Sequence, residues 1–242
     1  MTNIIKLSNR LRTAASFLDQ GAVFADIGSD HAYLPCYVCQ HDDNAQAIAG
    51  EISKGPYTSA VESVQKHKLT SKIDVRIGDG LEVLKKDEVN HIVIAGMGGT
   101  LITSILENGK QKLDKVDRII TQPNVDERSI RRWFLANGYV ITHESILEEN
   151  GHIYEVIVAD KLTEKDLHAT PYTEKQLLFG PILLQKQPSL FKNKWEKELD
   201  KRSRVVSQLE KAKVKDELKA AEYRKEMKWI EEVLCDDTSY QE

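Results

Sequence analysis

The chain has 242 residues, 40% of them apolar, enough for a substantial core in one large domain or in a domain with an appendage. No apolar run approaches the roughly 20 residues of a membrane span, the opening MTNIIKLSNR lacks a secretory apolar stretch, and three cysteines are too few for a disulfide framework, so a cytoplasmic protein is expected. The formal charge of −4 conceals a division: residues 175–228 carry 15 Lys and Arg against 8 Asp and Glu, net +7, and the remainder is net −11, which points to a tail that meets a polyanion and a body that handles a small molecule.

Leu7, Leu11, Ala14, Ala15 and Leu18 recur at helical spacing behind Ser8, an expected N-cap. Short apolar runs follow: VFADI (23–27), AQAIA (45–49), IDVRI (73–77), HIVIA (91–95) and RIITQ (118–122). They alternate with helix-length stretches such as 56–68 and 100–108, the pattern of strand–helix–strand units on a parallel sheet. Residues 127–137 read as a helix, and YVITHESILEENGHIYEVIVAD as two strands around a turn at 149–151. A terminal antiparallel hairpin on a mostly parallel, doubly wound sheet predicts an α/β Rossmann-like class I methyltransferase fold over residues 1–160. Cys36 and Cys39 form C-x-x-C, but no second ligand pair exists, so they read as small apolar residues on a buried helix face and no metal is expected.

Residues 161–242 read as a helical domain. A helix over 173–185 is interrupted at Gly180 and Pro181, and Pro188 restarts the chain. Trp195, Leu199, Arg202, Val206 and Leu209 then repeat at steps of 4 and 3, as do Ala220, Tyr223, Met227, Ile230 and Leu234. Two heptad helices turning back around 211–217 would make an antiparallel coiled-coil hairpin; with no Gly or Pro at the turn, one long helix pairing with another chain is the rival, and a monomer is favoured over a dimer. Lys194, Lys197, Lys201, Arg204 and Lys211 fall away from the apolar seam as a cationic stripe, which reads either as a solvated face or as a set of RNA phosphate contacts.

The candidate site residues sit where strands end. Gly28 lets the chain turn tightly after the first strand so that the amides of Ser29 to His31 can approach a ligand, while Asp26 orients that loop or holds a cationic amino group. Glu51, 25 positions after Asp26, suits the vicinal hydroxyls of a ribose, with Ile52 beside it; Asp79, with Gly80, suits an adenine amino group. Gly96, Met97, Gly98 and Gly99 leave the backbone open to a sulfonium and its acceptor, and the Lys and Ser/Thr of a P-loop are missing. Gln122, Pro123 and Asn124 bring amides to the same rim. Asp26 also has a bland reading as part of a structural turn at a strand end, Glu51 and Asp79 as helix caps, and Gln122–Asn124 as a turn; three acids at three successive strand ends are the stronger signal, because open α/β sheets bind ligands there.

FADIGSDHAYLP, the glutamate after the second strand, GDGL, IAGMGG and TQPN, in this order, resemble the bacterial tRNA adenine-22 N1-methyltransferase (TrmK) family from Leu7 to about Asp160. The resemblance implies S-adenosyl-L-methionine as donor, N1 of an adenine of tRNA as acceptor, and a coiled-coil domain after the Rossmann-like one. It further implies a stiff first loop in which Asp30 and His31 contribute side chains. On that chemistry, His31 is expected near the methyl donor and Gln122 or Asn124 on the adenine edge. A methyltransferase for a small molecule or protein, with the tail used for oligomerisation, and a non-enzymatic adenosyl or dinucleotide sensor are the alternatives; G-x-G-x-x-G is absent from the first turn, which disfavours nicotinamide.

Overall fold

The computed structural model describes residues 5–163, 172–212 and 216–235. The chain divides into two compact units, Met1–Pro171 and Tyr172–Glu242. In the first, seven strands form one sheet in the order β3-β2-β1-β4-β5-β7-β6. They are β1 (Val23–Ile27), β2 (Gln46–Glu51), β3 (Ile73–Ile77), β4 (His91–Gly98), β5 (Arg118–Val125), β6 (Tyr139–Glu149) and β7 (His152–Lys161). β1 to β5 pair in parallel; β7 runs antiparallel to both β5 and β6. The central strands are buried on both faces, as Phe24, Ala25, Ile92, Val93, Ile94, Ile119 and Ile120 show, which is why they read as apolar runs rather than as alternation.

The helices of this unit are α1 (Asn9–Ala15), α2 (Tyr33–His41), α3 (Lys54–Lys66), α4 (Gly99–Asn108) and α5 (Glu127–Ala136). Ser8 caps α1 by accepting from the Leu11 N–H. In α2, Cys36 and Cys39 are buried; burial pushes their thiols up to about 11 and about 12, so they stay protonated packing groups. Arg131 of α5 is 0% exposed, donating from Nε to Glu144 of β6 at 2.7 Å and from a second nitrogen to Glu155 of β7. That buried cluster pins α5 to the terminal hairpin.

The second unit contains α6 (Glu174–Phe179), α7 (Pro181–Lys186), α8 (Ser189–Lys211) and α9 (Glu217–Cys235). Thr173 and Gln176 make a reciprocal capping box, and Gly180, at φ 87°, divides the helix ahead of Pro181 at the expected interruption. α8 and α9 fold back on each other. Arg202 donates to Glu226 at 2.8 Å and Arg224 to Glu210 at 2.5 Å, an antiparallel register that sets aside one continuous helix. Residues 213–215 of the expected turn lie outside the described residues. Trp195, Val206, Ala220, Ile230 and Val233 are buried along the seam.

Candidate active site

The sheet order puts the carboxyl ends of β3, β2, β1, β4 and β5 in one row, and the chain reverses its winding direction between β1 and β4. Open α/β sheets hold ligands at such a switch point. Asp79 follows β3, Glu51 ends β2 and Asp26 lies next to the end of β1, so the three acids occupy adjacent strands.

Glu51 is 5% exposed, and its Oε1 is buried with no hydrogen-bond partner among the described residues. Burial raises its carboxyl above the ordinary value, and a bond from the Asp30 N–H opposes the rise. It lies within β2, and the residue preceding α3 is Ser53, so Glu51 does not cap that helix. A buried acceptor without a donor is costly in the empty protein and is supplied by a ligand that brings hydroxyls. Ile52 beside it is 67% exposed, an apolar surface open at the same edge. Asp79 is exposed at the start of a short 3-10 turn, Gly80–Val83, but its side chain makes no cap bond to that turn.

Asp26 is 3% exposed and accepts from Ser29 Oγ at 2.6 Å. Burial pushes its carboxyl up to about 7; the Ser29 bond works against this, and the nearby charges of Glu51 and Asp30 add to it. Gly28 turns at φ 71°, and a Cβ there would stand 2.2 Å from Met97 Cε, so glycine admits both the turn and the contact between the β1 and β4 loops. The N–H groups of Gly28 and Ser29 both donate to the Gly50 carbonyl. Asp30, His31 and Ala32 then follow at φ 43°, 64° and 55°. Three successive left-handed residues with side chains cost of order 1–3 kcal/mol each, strain of the kind held at ligand clamps. The loop turns Asp30 outward and leaves His31 half-exposed, 3.5 Å from Asp30 Oδ1 and stacked on Tyr33.

At the centre of the rim, β4 and β5 outrun the apolar runs that announced them. Register shifts flank Met97, which pairs with Pro123, a place where a strand tolerates proline. A Cβ on Gly99 would lie 2.0 Å from the Asp126 carbonyl oxygen, so glycine alone lets α4 start against the end of β5. Gln122, Pro123 and Asn124 are therefore strand residues rather than a turn. Gln122 is 0% exposed, donating from Nε2 to the Pro123 carbonyl at 2.8 Å, while exposed Asn124 donates from Nδ2 to the Gly96 carbonyl at 2.7 Å.

Sequence reasoning missed the group that joins these amides. Arg10 of α1 donates from Nη1 to Gln122 Oε1 at 3.1 Å and to Asn124 Oδ1 at 3.5 Å, and from Nε to Glu149 Oε2 at 2.8 Å. Its guanidinium lies 4.5 Å from the Tyr154 ring centroid. Burial raises the Glu149 carboxyl, but the bonds from Arg10 and the Asn9 N–H outweigh it and hold the group below its ordinary value. Nothing in α1 beyond an arginine on a polar helix face signals this role.

In the helical unit, Lys197, Lys201, Arg204 and Lys211 are exposed on α8. Lys201 pairs with Glu198 at 2.6 Å, and the Lys194 ammonium lies 5.5 Å from the Trp195 ring centroid. Among the described residues no group of three His, Cys, Asp or Glu is placed to hold a metal ion, and no helix is long and apolar enough to cross a membrane.

A rim with a buried, donor-hungry carboxylate, a strained loop and a glycine-lined centre suits an adenosyl ligand. The family model for TrmK, tRNA (adenine(22)-N(1))-methyltransferase, matches residues 24–232. The tRNA (adenine(22)-N(1))-methyltransferase of Bacillus subtilis is 46% identical over 210 residues, 87% of this chain and 88% of that protein. The crystal structure of the B. subtilis M1A22 tRNA methyltransferase TrmK superposes with a TM-score of 0.87 at 43% identity, covering 95% of this chain and 99% of the other. A Streptococcus pneumoniae putative tRNA (m1A22) methyltransferase in complex with S-adenosyl-L-methionine gives 0.83 at 39% identity, covering 95% and 100%.

Proposed function

The chain belongs to the TrmK family of tRNA (adenine(22)-N(1))-methyltransferases, and from that premise we propose that it methylates N1 of adenine 22 in tRNA with S-adenosylmethionine as donor. The observation that carries the reading is the buried oxygen of Glu51, without a hydrogen-bond partner among the described residues, on the row of strand ends. Glu51 holds the ribose hydroxyls and Asp79, with Ile52 and Gly80, the adenine end. Asp26, Asp30 and the Gly28 loop take the amino-acid end, and Gly96 and Met97 border the reacting centre. When bound, S-adenosylmethionine supplies an electrophilic sulfonium methyl.

Adenine N1 is unprotonated near neutral pH, so no side chain need take a proton first. The chain's contribution is alignment and exclusion of water. N1 lies on the pairing edge, and the base must leave its pair and stack to reach the rim. There His31 flanks the donor and Asn124, backed by Gln122, meets the base. Mass mapping of nucleosides after incubation with unmodified tRNA tests this: 1-methyladenosine at position 22 is expected, and methylation elsewhere or none contradicts it.

Asp26 makes the reading pH-dependent. Its folded value of about 7 exceeds the ordinary 3.8, so between these values the folded chain keeps a proton that the unfolded chain has released. Stability from this group is therefore full in acid and lost as pH rises to about 7. A cationic ligand group beside Asp26 draws the value back down, so binding releases a proton and affinity rises with pH up to about 7. Calorimetry at pH 6.5 in buffers of different ionisation enthalpy should record that release in the wild type and none in Asp26→Asn; equal proton counts would remove Asp26 from the site.

The enzyme acts in the cytoplasm as a monomer, its heptad seam closed within one chain, and α8 grips the tRNA backbone through Lys194, Lys197, Lys201, Arg204 and Lys211. Replacing Lys194, Lys197, Lys201 and Arg204 together by Gln is expected to flatten the slope of log affinity for tRNA against log salt by about 3, with S-adenosylmethionine affinity constant. An unchanged slope would assign the stripe to solvent.

A further inference from the structure

The two ends of an asparagine amide are alike in shape and opposite in hydrogen bonding, so its neighbours decide which end faces where. Asn124 has a pure acceptor on one side, the Gly96 carbonyl at 2.7 Å from Nδ2, and a pure donor on the other, Arg10 Nη1 at 3.5 Å from Oδ1. Turned over, the amide would set NH2 against a cation and oxygen against oxygen. Arg10 is itself held from three sides, by Glu149 at 2.8 Å, Gln122 at 3.1 Å and the face of Tyr154. Glu149 is anchored in turn by the Asn9 N–H at 2.6 Å.

We propose that Arg10 is a positioning residue that determines base specificity. With Gly96, it fixes the Asn124 amide so that an oxygen with a spare lone pair is offered on the exposed rim. That acceptor complements a purine with an exocyclic amine next to N1 and repels one with a carbonyl there. The inference rests on the reading that adenine N1 is the acceptor, and it adds how the amine at C6 is recognised.

The test uses tRNA assembled by ligation with either adenosine or purine riboside, which lacks the amine, at position 22. Single-turnover methylation is compared for the wild type, Arg10→Met and Arg10→Lys. The intrinsic reactivity of each base is the same for every enzyme, so the change in the adenosine-to-purine rate ratio isolates the contact. The wild-type ratio is expected to exceed that of Arg10→Met by about tenfold, the net worth of one ordinary hydrogen bond. Arg10→Lys keeps the charge without the planar fork and should behave as Arg10→Met does. A purely structural role would lower the melting temperature and leave the ratio untouched, and such a result overturns the proposal. If Arg10→Met does not fold, Glu149→Gln, which loosens Arg10 without removing it, should lower the ratio part of the way, and a ratio equal to the wild type's overturns it. A wild type that fails to methylate adenosine tRNA strikes the parent reading as well, whereas one that methylates adenosine and purine tRNA with the ratio of the variants strikes this inference alone.

Discussion

Glu51→Gln is expected to weaken S-adenosylmethionine binding by roughly 10- to 150-fold while leaving the fold intact. The side chain is buried and its Oε1 lacks a partner among the described residues, so the hydroxyls it awaits would donate to a desolvated charge. Hydrogen bonds to a charged group contribute about 1.5–3 kcal/mol, and each 1.4 kcal/mol is tenfold in affinity. Glutamine keeps the shape and one acceptor but loses the charge and the second acceptor. Because burial already disfavours the carboxylate in the empty protein, the variant should melt no lower than the wild type without ligand. Loss of binding combined with retained stability marks a group placed for a ligand at some cost to the fold. Calorimetric titration and thermal melting read the two halves, and an unchanged affinity would show that Glu51 does not meet the donor.

Arg131→Ala carries the largest expected cost in stability, about 3–5 kcal/mol, because it leaves the Glu144 and Glu155 carboxylates enclosed without the cation between them. At 2–4 °C per kcal/mol for a chain of this size, the melting temperature should fall by about 6–20 °C. The cause is uncompensated charge rather than lost volume, which a second variant separates. Arg131→Met combined with Glu144→Gln and Glu155→Gln removes all three charges and should recover most of the loss. If that triple variant melts as low as Arg131→Ala, packing rather than charge holds α5 on the hairpin.

Much of this architecture was legible in the residues. β1 runs as VFADI announces, because a buried parallel strand writes itself as an apolar run, whereas β3, at the sheet edge and partly exposed, shows through the alternation of IDVRI; the antiparallel hairpin stood out through its length and its Asn150–Gly151 turn. β4 and β5 were underestimated at the site itself. Gly96–Gly98 and Pro123 carry turn chemistry locally, and only pairing between the two strands, with register shifts around Met97, extends them to the rim. The helical hairpin was one of two readings since no Gly or Pro marks its reversal; the Arg202–Glu226 and Arg224–Glu210 pairs that decide it are tertiary. Arg10 left no trace. Its partner Gln122 is 112 positions away, and the periodicity of α1 reports the apolar face that packs rather than the polar residue that reaches over the strand ends.

Crystals soaked with S-adenosylmethionine address the central claim most directly. The ligand is expected along the ends of β3, β2 and β1, its ribose hydroxyls on Glu51, its amino group near Asp26 and its methyl group facing Gly96 and Asn124. Density for the nucleoside at any other place on the chain, or bare strand ends at saturating ligand, would contradict it.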